Sequence, residues 1–229
     1  MGHALRILSA NLWNGRADAR AFAAMVEAAD VDLVAVQECA PAQARALSAV
    51  FPHGRIEPSR DHMGMGIAMR EPGEIEKIAL PGRGAWRVRL EPAHWPGLGG
   101  PLDILNLHFA APHTFRPRPG IWLRPRQLRE FEAYLLSRPA QRCVAVGDFN
   151  STPGWPLYKR IASQFTDAAV VVAREEGGRT LPTWGPWASS PRLLRIDHAF
   201  IRGVMVNSFQ VVPVKGADHS AIVMDLSSE

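Results

Sequence analysis

The chain of 229 residues has only two cysteines, Cys39 and Cys143, and their separation matches no zinc-site spacing. Each adjoins an apolar run, which favours buried, reduced thiols. No apolar run reaches the roughly 20 residues of a membrane span, and no low-complexity segment is present. The apolar pattern begins at Leu5 and leaves no room for a secretion signal. We therefore expect a cytoplasmic protein without stable membrane insertion.

Acidic residues are not in excess, because 26 Lys and Arg against 22 Asp and Glu give a formal net charge of +4. The sequence pI of about 9.6 favours polyanionic partners but does not identify one. A hydrophobic fraction of 47% can form a sizeable core. We expect one domain over residues 1–229 and a monomer.

Short apolar runs recur along the chain, and each carries a polar residue at or beside one end. A short apolar run bounded by a turn residue indicates a buried strand, and ligands of α/β sheets bind at strand ends. The polar residues found there are Asn11, Gln37 and Glu38, Asn106 and His108, Asp148 and Asn150, Asp197, and Asp218 and His219. Taken singly, these residue types are more often found in strand-terminating turns or as ordinary strand-end residues than in active sites. Asn106 either shares the face of His108 or supports the end of its strand.

The segments between these runs predict helices in both halves of the chain. Asp18 can cap a helix with Phe22, Val26 and Ala29 on one face, and Pro41 can begin a helix that continues through Val50. Shorter strands follow between residues 64 and 107, then an irregular arm from Ala110 to Pro125. Strands with interspersed helices in both halves indicate an α/β four-layer αββα sandwich, in which two mixed β-sheets pack face to face with helices outside.

The ordered polar motifs resemble those of the endonuclease/exonuclease/phosphatase (DNase I-like) superfamily. They are Asn11, Gln37-Glu38, Asn106-Leu107-His108, Gly147-Asp148-Phe149-Asn150, Arg195-Ile196-Asp197-His198 and Asp218-His219-Ser220. The resemblance implies the same αββα sandwich and metal-assisted hydrolysis of a phosphoester by direct attack of water. Abasic endonucleases of this group have an aspartate where this chain has Trp13, which argues against that substrate.

The resemblance also implies roles for individual residues. Glu38 resembles the principal metal ligand, Asn11 a neighbouring metal or phosphate contact, and Asp218 a further metal or water ligand. Asp148 and Asn150 resemble the pair that orients the attacking water. His219 resembles the histidine paired with Asp197, acting either as a base or as a phosphate ligand, and His108 resembles a donor to the phosphoryl oxygens.

These residue types suit phosphoester hydrolysis, because cations and pre-aimed donors must stabilise the charge of the transition state. Mg²⁺, or Mn²⁺ in its place, prefers hard oxygen ligands and is normally held by one or two carboxylates. A carboxylate that accepts from one histidine nitrogen orients the ring, so that the other nitrogen can handle a proton. We therefore expect a Mg²⁺- or Mn²⁺-dependent enzyme.

The arm and a tryptophan-rich loop offer candidates for substrate binding. Arginine forks suit phosphates, and aromatic rings suit bases or lipid surfaces. The candidates are Arg116, Arg118, Trp122, Arg124 and Trp184. We expect a nuclease acting on DNA. The alternatives are a phosphatase or a phospholipid or inositol-phosphate phosphodiesterase, and a catalytically silent binding module.

Overall fold

A computed structural model describes residues 5–113 and 120–227 and contains two six-stranded sheets. The first sheet comprises β1 (Leu5–Asn11), β2 (Leu33–Gln37), β3 (His53–Glu57), β4 (Met65–Met69), β11 (Met205–Pro213) and β12 (Ser220–Ser227). The second comprises β5 (Glu74–Lys77), β6 (Ala85–Leu90), β7 (Leu102–His108), β8 (Cys143–Asp148), β9 (Thr166–Asp167) and β10 (Asp197–Arg202). The helices are α1 (Ala19–Ala28), α2 (Pro41–Val50), α3 (Gly120–Ser137), α4 (Pro156–Ala162) and α5 (Ala168–Glu175).

The sheets have the orders β11-β12-β1-β2-β4-β3 and β5-β6-β7-β8-β10-β9. Inward side chains of both sheets form a central core, which includes Ile7, Ile67 and Ile104. A second core lies between the first sheet and helices α1 and α2, and a third between the second sheet and helices α3 and α4. These three apolar layers define the αββα sandwich, so the predicted fold class is confirmed. No helix in the two described ranges is long and apolar enough to cross a membrane.

Local signals place the first two helices accurately. The Asp18 carboxylate caps α1 by accepting from the backbone N–H of Ala21 at 3.1 Å. Helix α2 begins at Pro41 and ends at Val50, as proline at a first helical position predicts.

The expected irregular arm from Ala110 to Pro125 is wrong in its last six residues, because α3 already begins at Gly120. Pro125 lies inside this helix, where it cannot donate a backbone hydrogen bond. The buried side chains of Leu123, Arg124 and Gln127 anchor the helix on both sides of the proline. Tertiary packing therefore outweighs the local penalty.

Three elements, strands β3 and β9 and helix α5, have no counterpart in the sequence expectations. Strand β3 is the edge of the first sheet and is largely exposed, so it lacks a buried apolar face. Helix α5 contains Val170, Val171 and Val172, a β-branched run that lowers helix propensity. The carboxylate of Asp167 caps α5, and Ala168 and Val172 join the central core, which together stabilise the helix.

Candidate active site

The topology brings the polar strand ends of both sheets to one edge of the sandwich. Strands β1 and β2 are parallel, and β12 is antiparallel to β1, so the end of β1 and the start of β12 lie at the same edge. In the second sheet β7 and β8 are parallel, and β10 is antiparallel to β8 with Asp197 opposite Asp148. Residues that are far apart in the chain therefore meet in one place.

Asp148 is the centre of this cluster. Its Oδ2 accepts from Asn11 Nδ2 at 3.0 Å and from Asn150 Nδ2 at 2.8 Å, and its Oδ1 accepts from the Asn150 backbone N–H at 2.8 Å. Burial raises the pKa of Asp148 to about 7, although the positive charge of His219 opposes the rise. Asp148 is thus a carboxylate that can exchange a proton near neutral pH.

His219 and Asp197 form a buried pair. His219 Nδ1 lies 2.9 Å and 3.1 Å from the two carboxylate oxygens of Asp197, and His219 Nε2 lies 4.0 Å from Asp148 Oδ2. Burial alone would lower the pKa of His219, but the negative charge and hydrogen bond of Asp197 raise it to about 10. The ring is therefore a cation at neutral pH, with Nδ1 committed to Asp197 and Nε2 free to donate to a ligand.

Asp197 is itself held in place by Thr183. The hydroxyl oxygen of this fully buried threonine accepts from the backbone N–H groups of Ile196 and Asp197 at 3.2 Å and 3.1 Å. Backbone hydrogen bonds from Thr183 and Trp184 to Leu194 O hold the same loop. The position of the His219 ring is therefore set by a loop that lies outside the named strands.

The carboxylates of Glu38 and Asp218 fit a hard cation. Glu38 directly follows β2 with a positive φ of 54°, and its Oε2 accepts from the Asn14 backbone N–H at 2.8 Å. Asp218 Oδ2 accepts from Trp184 Nε1 at 3.2 Å, whereas Asp218 Oδ1 is buried and has no hydrogen-bond partner in the described part of the chain. Burial raises the pKa of Asp218, and the charge of Glu38 raises it further. Two oxygen donors that repel one another are the arrangement that a divalent cation stabilises.

Asp148, Asp197 and His219 also form a compact group of possible ligands, with one candidate atom from each within 4.8 Å of the others. His219 occupies both oxygens of Asp197, so this pair is better suited to orienting the ring than to binding a cation. Asp148 lies near both the His219–Asp197 pair and Glu38.

His108 lies between the two carboxylates. Its Nε2 is 3.7 Å from Glu38 Oε1 and 3.6 Å from Asp148 Oδ2. Burial holds the pKa of His108 well below its usual value, and the positive charges of Arg83 and His219 lower it further. The ring is neutral at pH 7, so it can offer a hydrogen bond without adding charge.

These groups surround a cavity of about 300 Å³. Its polar lining includes Glu38, His108, Asp148, Asp218 and His219, and its apolar lining includes Trp13, Trp155, Trp184 and Leu194. The cavity therefore combines polar side chains that can bind a phosphoryl group with aromatic side chains that can contact a ring.

The residues expected to bind substrate have different positions. Arg116 and Arg118 lie outside the described residues. Trp184 lines the cavity, whereas Trp122 is 76% exposed on α3 and is not among the residues lining it. Arg124 is buried and donates from Nη1 to the backbone carbonyls of Ala110 at 2.7 Å and Asn150 at 2.8 Å. Arg124 therefore braces the backbone behind Asp148, and the substrate contact expected of it remains untested.

A buried amide side chain connects the two sheets. Asn106 is fully buried and bridges the sheets, because its Oδ1 accepts from Gln37 Nε2 at 2.6 Å and its Nδ2 donates to Val36 O at 3.0 Å and Gly66 O at 2.8 Å. Of the two roles considered for Asn106, this geometry agrees with support of the strand end.

Arg83 lines the cavity but was not predicted from the sequence. It lies in the Gly82-Arg83-Gly84 connection between β5 and β6, where no strand-end pattern marks it.

The sequence model of the Endonuclease/Exonuclease/phosphatase family matches residues 8–219. The chain belongs to this family. The match covers every motif from Asn11 to His219, so the recognition made from the sequence is confirmed. No curated protein matches the sequence at a significant level.

Solved structures of this family share the fold. An endonuclease/exonuclease/phosphatase from Bacteroides vulgatus has 19% sequence identity and a TM-score of 0.75, covering 98% of this chain and 99% of the other. A mannosyl-6-phosphatase from Bacteroides thetaiotaomicron has 17% identity and a TM-score of 0.73, covering 97% and 99%. TDP2 from D. rerio, solved with a single-strand DNA product, has 16% identity and a TM-score of 0.72, covering 98% and 99%.

The endonuclease/exonuclease/phosphatase family therefore contains members with different substrates on one scaffold. Its members are typically phosphoester hydrolases that depend on divalent metals, and this member has a buried acidic and histidine cluster. Identities below 20% establish the fold of the chain, and its substrate has to be argued from its own site.

Proposed function

We propose that this chain is a divalent-metal-dependent phosphodiester hydrolase that acts on DNA by direct attack of water. The observation that carries the proposal is the convergence of Glu38, His108, Asp148 and His219 on one cavity. The pKa of His108 is lowered and the pKa values of Asp148 and His219 are raised, and assignments of acid and base follow from such differences. The net charge of +4 and the DNA product bound by the TDP2 structure favour a nucleic-acid substrate.

Glu38 and Asp218, with Asn11 and Asp148 as further ligands, would hold Mg²⁺ or Mn²⁺. When bound, such a cation polarises the phosphoryl group and neutralises charge that develops on its oxygens. The unpartnered Asp218 Oδ1 and Glu38 Oε1, which lies 3.7 Å from His108 Nε2, would supply the hard oxygen ligands that this role needs.

Side chains of the protein supply the proton acceptor and the hydrogen-bond donors of the reaction. Asp148, oriented by Asn11 and Asn150 and with its pKa raised to about 7, accepts the proton of the attacking water. The water oxygen bonds to phosphorus, the ester P–O bond breaks, and the leaving oxygen takes a proton from solvent. His219 is cationic and donates from Nε2 to a phosphoryl oxygen, while Asp197 fixes its ring. His108 donates from Nε2 to a second oxygen. The negative charge that develops on the phosphoryl oxygens is therefore stabilised by hydrogen-bond donors that are already oriented.

A phosphatase acting on a small phosphate ester is a second candidate. The cavity of about 300 Å³ is partly enclosed by Trp13, Trp155 and Trp184, which suits one sugar or nucleoside better than a duplex. The similarity to a mannosyl-6-phosphatase supports the same alternative.

A substrate panel separates these functions. Purified protein is incubated with plasmid DNA, single-stranded DNA, a sugar phosphate and phospholipid vesicles, each with Mg²⁺, Mn²⁺ or excess chelator. We expect metal-dependent cleavage of DNA, with turnover reduced about 10²-fold or more in His219→Ala and in Asp148→Asn. The exposed His53 provides a matched control in His53→Ala. Cleavage of the sugar phosphate alone establishes the second candidate, and the absence of hydrolysis from every arm excludes both.

A further inference from the structure

Arg83 is the permanent cation among the described residues that line the cavity. It shares that lining with Glu38, His108, Asp148 and His219. The carboxylates of Glu38 and Asp148 lie within electrostatic reach, because their charges raise the pKa of Arg83 while burial, the larger effect, lowers it. A guanidinium is therefore held at the acidic centre of the site.

The donors of Arg83 are largely unused by the described part of the protein. Nη1 donates to the carbonyl of the preceding Gly82 at 3.2 Å, and the buried Nε has no partner there. Arg124 is the contrasting case, since its buried guanidinium donates to the backbone carbonyls of Ala110 and Asn150. A buried donor without a partner costs free energy, so Arg83 contributes little to folding as it stands.

The connection that carries Arg83 is sterically constrained. Gly82 has a positive φ of 66°, and a Cβ on Gly84 would lie 2.4 Å from the sulfur of Met65. Met65 belongs to β4 of the opposite sheet. The two glycines therefore fit the loop closely against the sandwich and position the arginine between them at the cavity.

We propose that Arg83 is a phosphate-binding residue, whose guanidinium donates to the non-bridging oxygens of the scissile phosphoryl group. This inference rests on the proposed phosphoester hydrolysis and adds to it a fixed positive charge, which the predicted residues that line the cavity lack. A planar guanidinium suits this role because its fork of N–H groups matches two oxygens of a phosphate. His108 is neutral and His219 donates through one nitrogen, so Arg83 supplies the remaining paired donors.

The direct test measures binding of inorganic phosphate by calorimetry, which does not require turnover. Wild type, Arg83→Met and Arg83→Lys are compared, with the exposed helical residue Arg174 replaced by methionine as the matched control. We expect the Kd for phosphate to rise at least about 10-fold in Arg83→Met, less in Arg83→Lys, and not at all in the control. An unchanged Kd in Arg83→Met, or no phosphate binding by wild type at millimolar concentration, overturns the proposal.

Two further measurements distinguish function from structure. The melting temperature of Arg83→Met is expected to equal or exceed that of wild type, whereas a fall of several degrees indicates a structural role and contradicts the proposal. On any ester that wild type hydrolyses, kcat/KM is expected to fall about 10²-fold in Arg83→Met. If wild type binds phosphate through Arg83 but hydrolyses nothing, the proposed function fails and the binding role stands. If wild type hydrolyses an ester with Arg83→Met equally active, the binding role fails and the proposed function stands.

Discussion

Replacing Asn106 by alanine removes the amide that joins the two sheets beneath the candidate active site. Asn106 makes three hydrogen bonds to the first sheet, one with Gln37 and two with the backbone carbonyls of Val36 and Gly66. Gln37 directly precedes Glu38, and Asn106 lies two residues before His108. The bridge therefore links the strand that positions Glu38 to the strand that positions His108.

The expected loss of stability follows from these contacts. Each intramolecular hydrogen bond contributes about 0.5–1.5 kcal/mol net, so three of them give a loss of about 3 kcal/mol in Asn106→Ala. A domain of this kind is stable by about 5–15 kcal/mol, so the variant remains folded at 25 °C. Gln37 Nε2 retains Ser9 Oγ at 3.2 Å, which limits the penalty of an unpaired amide.

Urea unfolding followed by tryptophan fluorescence measures this loss, because Trp86 is buried and lies opposite Asn106 on the neighbouring strand. We also expect kcat to fall, by as much as about 10²-fold if Glu38 and His108 move apart by about 1 Å. Asn207→Ala, at an exposed position of β11, is the control and should change stability by less than about 0.5 kcal/mol. An Asn106→Ala variant with the urea midpoint and kcat of wild type refutes this reasoning.

Three other outcomes are expected. His219→Ala and Asp197→Asn should each lower kcat/KM about 10²-fold or more in steady-state assays. Because the two residues act as a unit, the double variant should be little less active than the less active single variant. Additive losses argue against a functional His219–Asp197 pair. Asp103→Ala should cost about 3 kcal/mol in urea unfolding, because it removes the nearer carboxylate of the buried Arg87, at 2.8 Å, and leaves only Glu76 at 3.7 Å among the ion pairs of the described residues. Arg87→Met with Asp103→Leu should recover most of this loss, and no recovery contradicts the explanation. Burial, aided by the charge of Arg195, lowers the pKa of His198 to about 4, against about 6.5 in the unfolded chain. Because the folded state holds the neutral ring, the contribution of His198 to stability is fully present above pH 6.5. That contribution falls by about 3 kcal/mol as the pH is lowered to 4. The stability difference between wild type and His198→Gln, measured at pH 7 and pH 4, should fall by that amount, and a constant difference disproves it.

The sequence predicts those parts of the fold whose determinants are local. Asp18 and Pro41 mark the beginnings of α1 and α2, since a cap and a first-turn proline act within one turn of helix. The apolar run that ends at Asp148 is a strand that is buried throughout, and the run that ends at Asn11 is a strand that is buried except at Arg6. The early residues of α3 and the β-branched α5 escaped prediction, because their helical state depends on packing against other layers.

The candidate site likewise contains residues that a local sequence signal predicts and residues that it does not. Glu38, His108, Asp148 and His219 carry a local signal, a polar residue at the end of an apolar run, and the structure brings them together at one cavity. Arg83 has no such signal, because it lies in a glycine-flanked connection. Arg124 is a substrate-binding candidate from its arginine-rich segment, and the structure shows that its buried guanidinium donates to backbone carbonyls. Side-chain chemistry is readable from the sequence, whereas the partner of each side chain is not.

The sequence by itself determined which residues could do phosphoester chemistry and that they lie at strand ends, because side-chain type and the twofold period of strands are local properties. Only the tertiary structure decided that Asp197 faces His219, that Asn106 joins the two sheets, and that Arg83 reaches the cavity. Each of these depends on contacts between segments 20 or more residues apart, which form when the sheets pack face to face and bury their polar ends together.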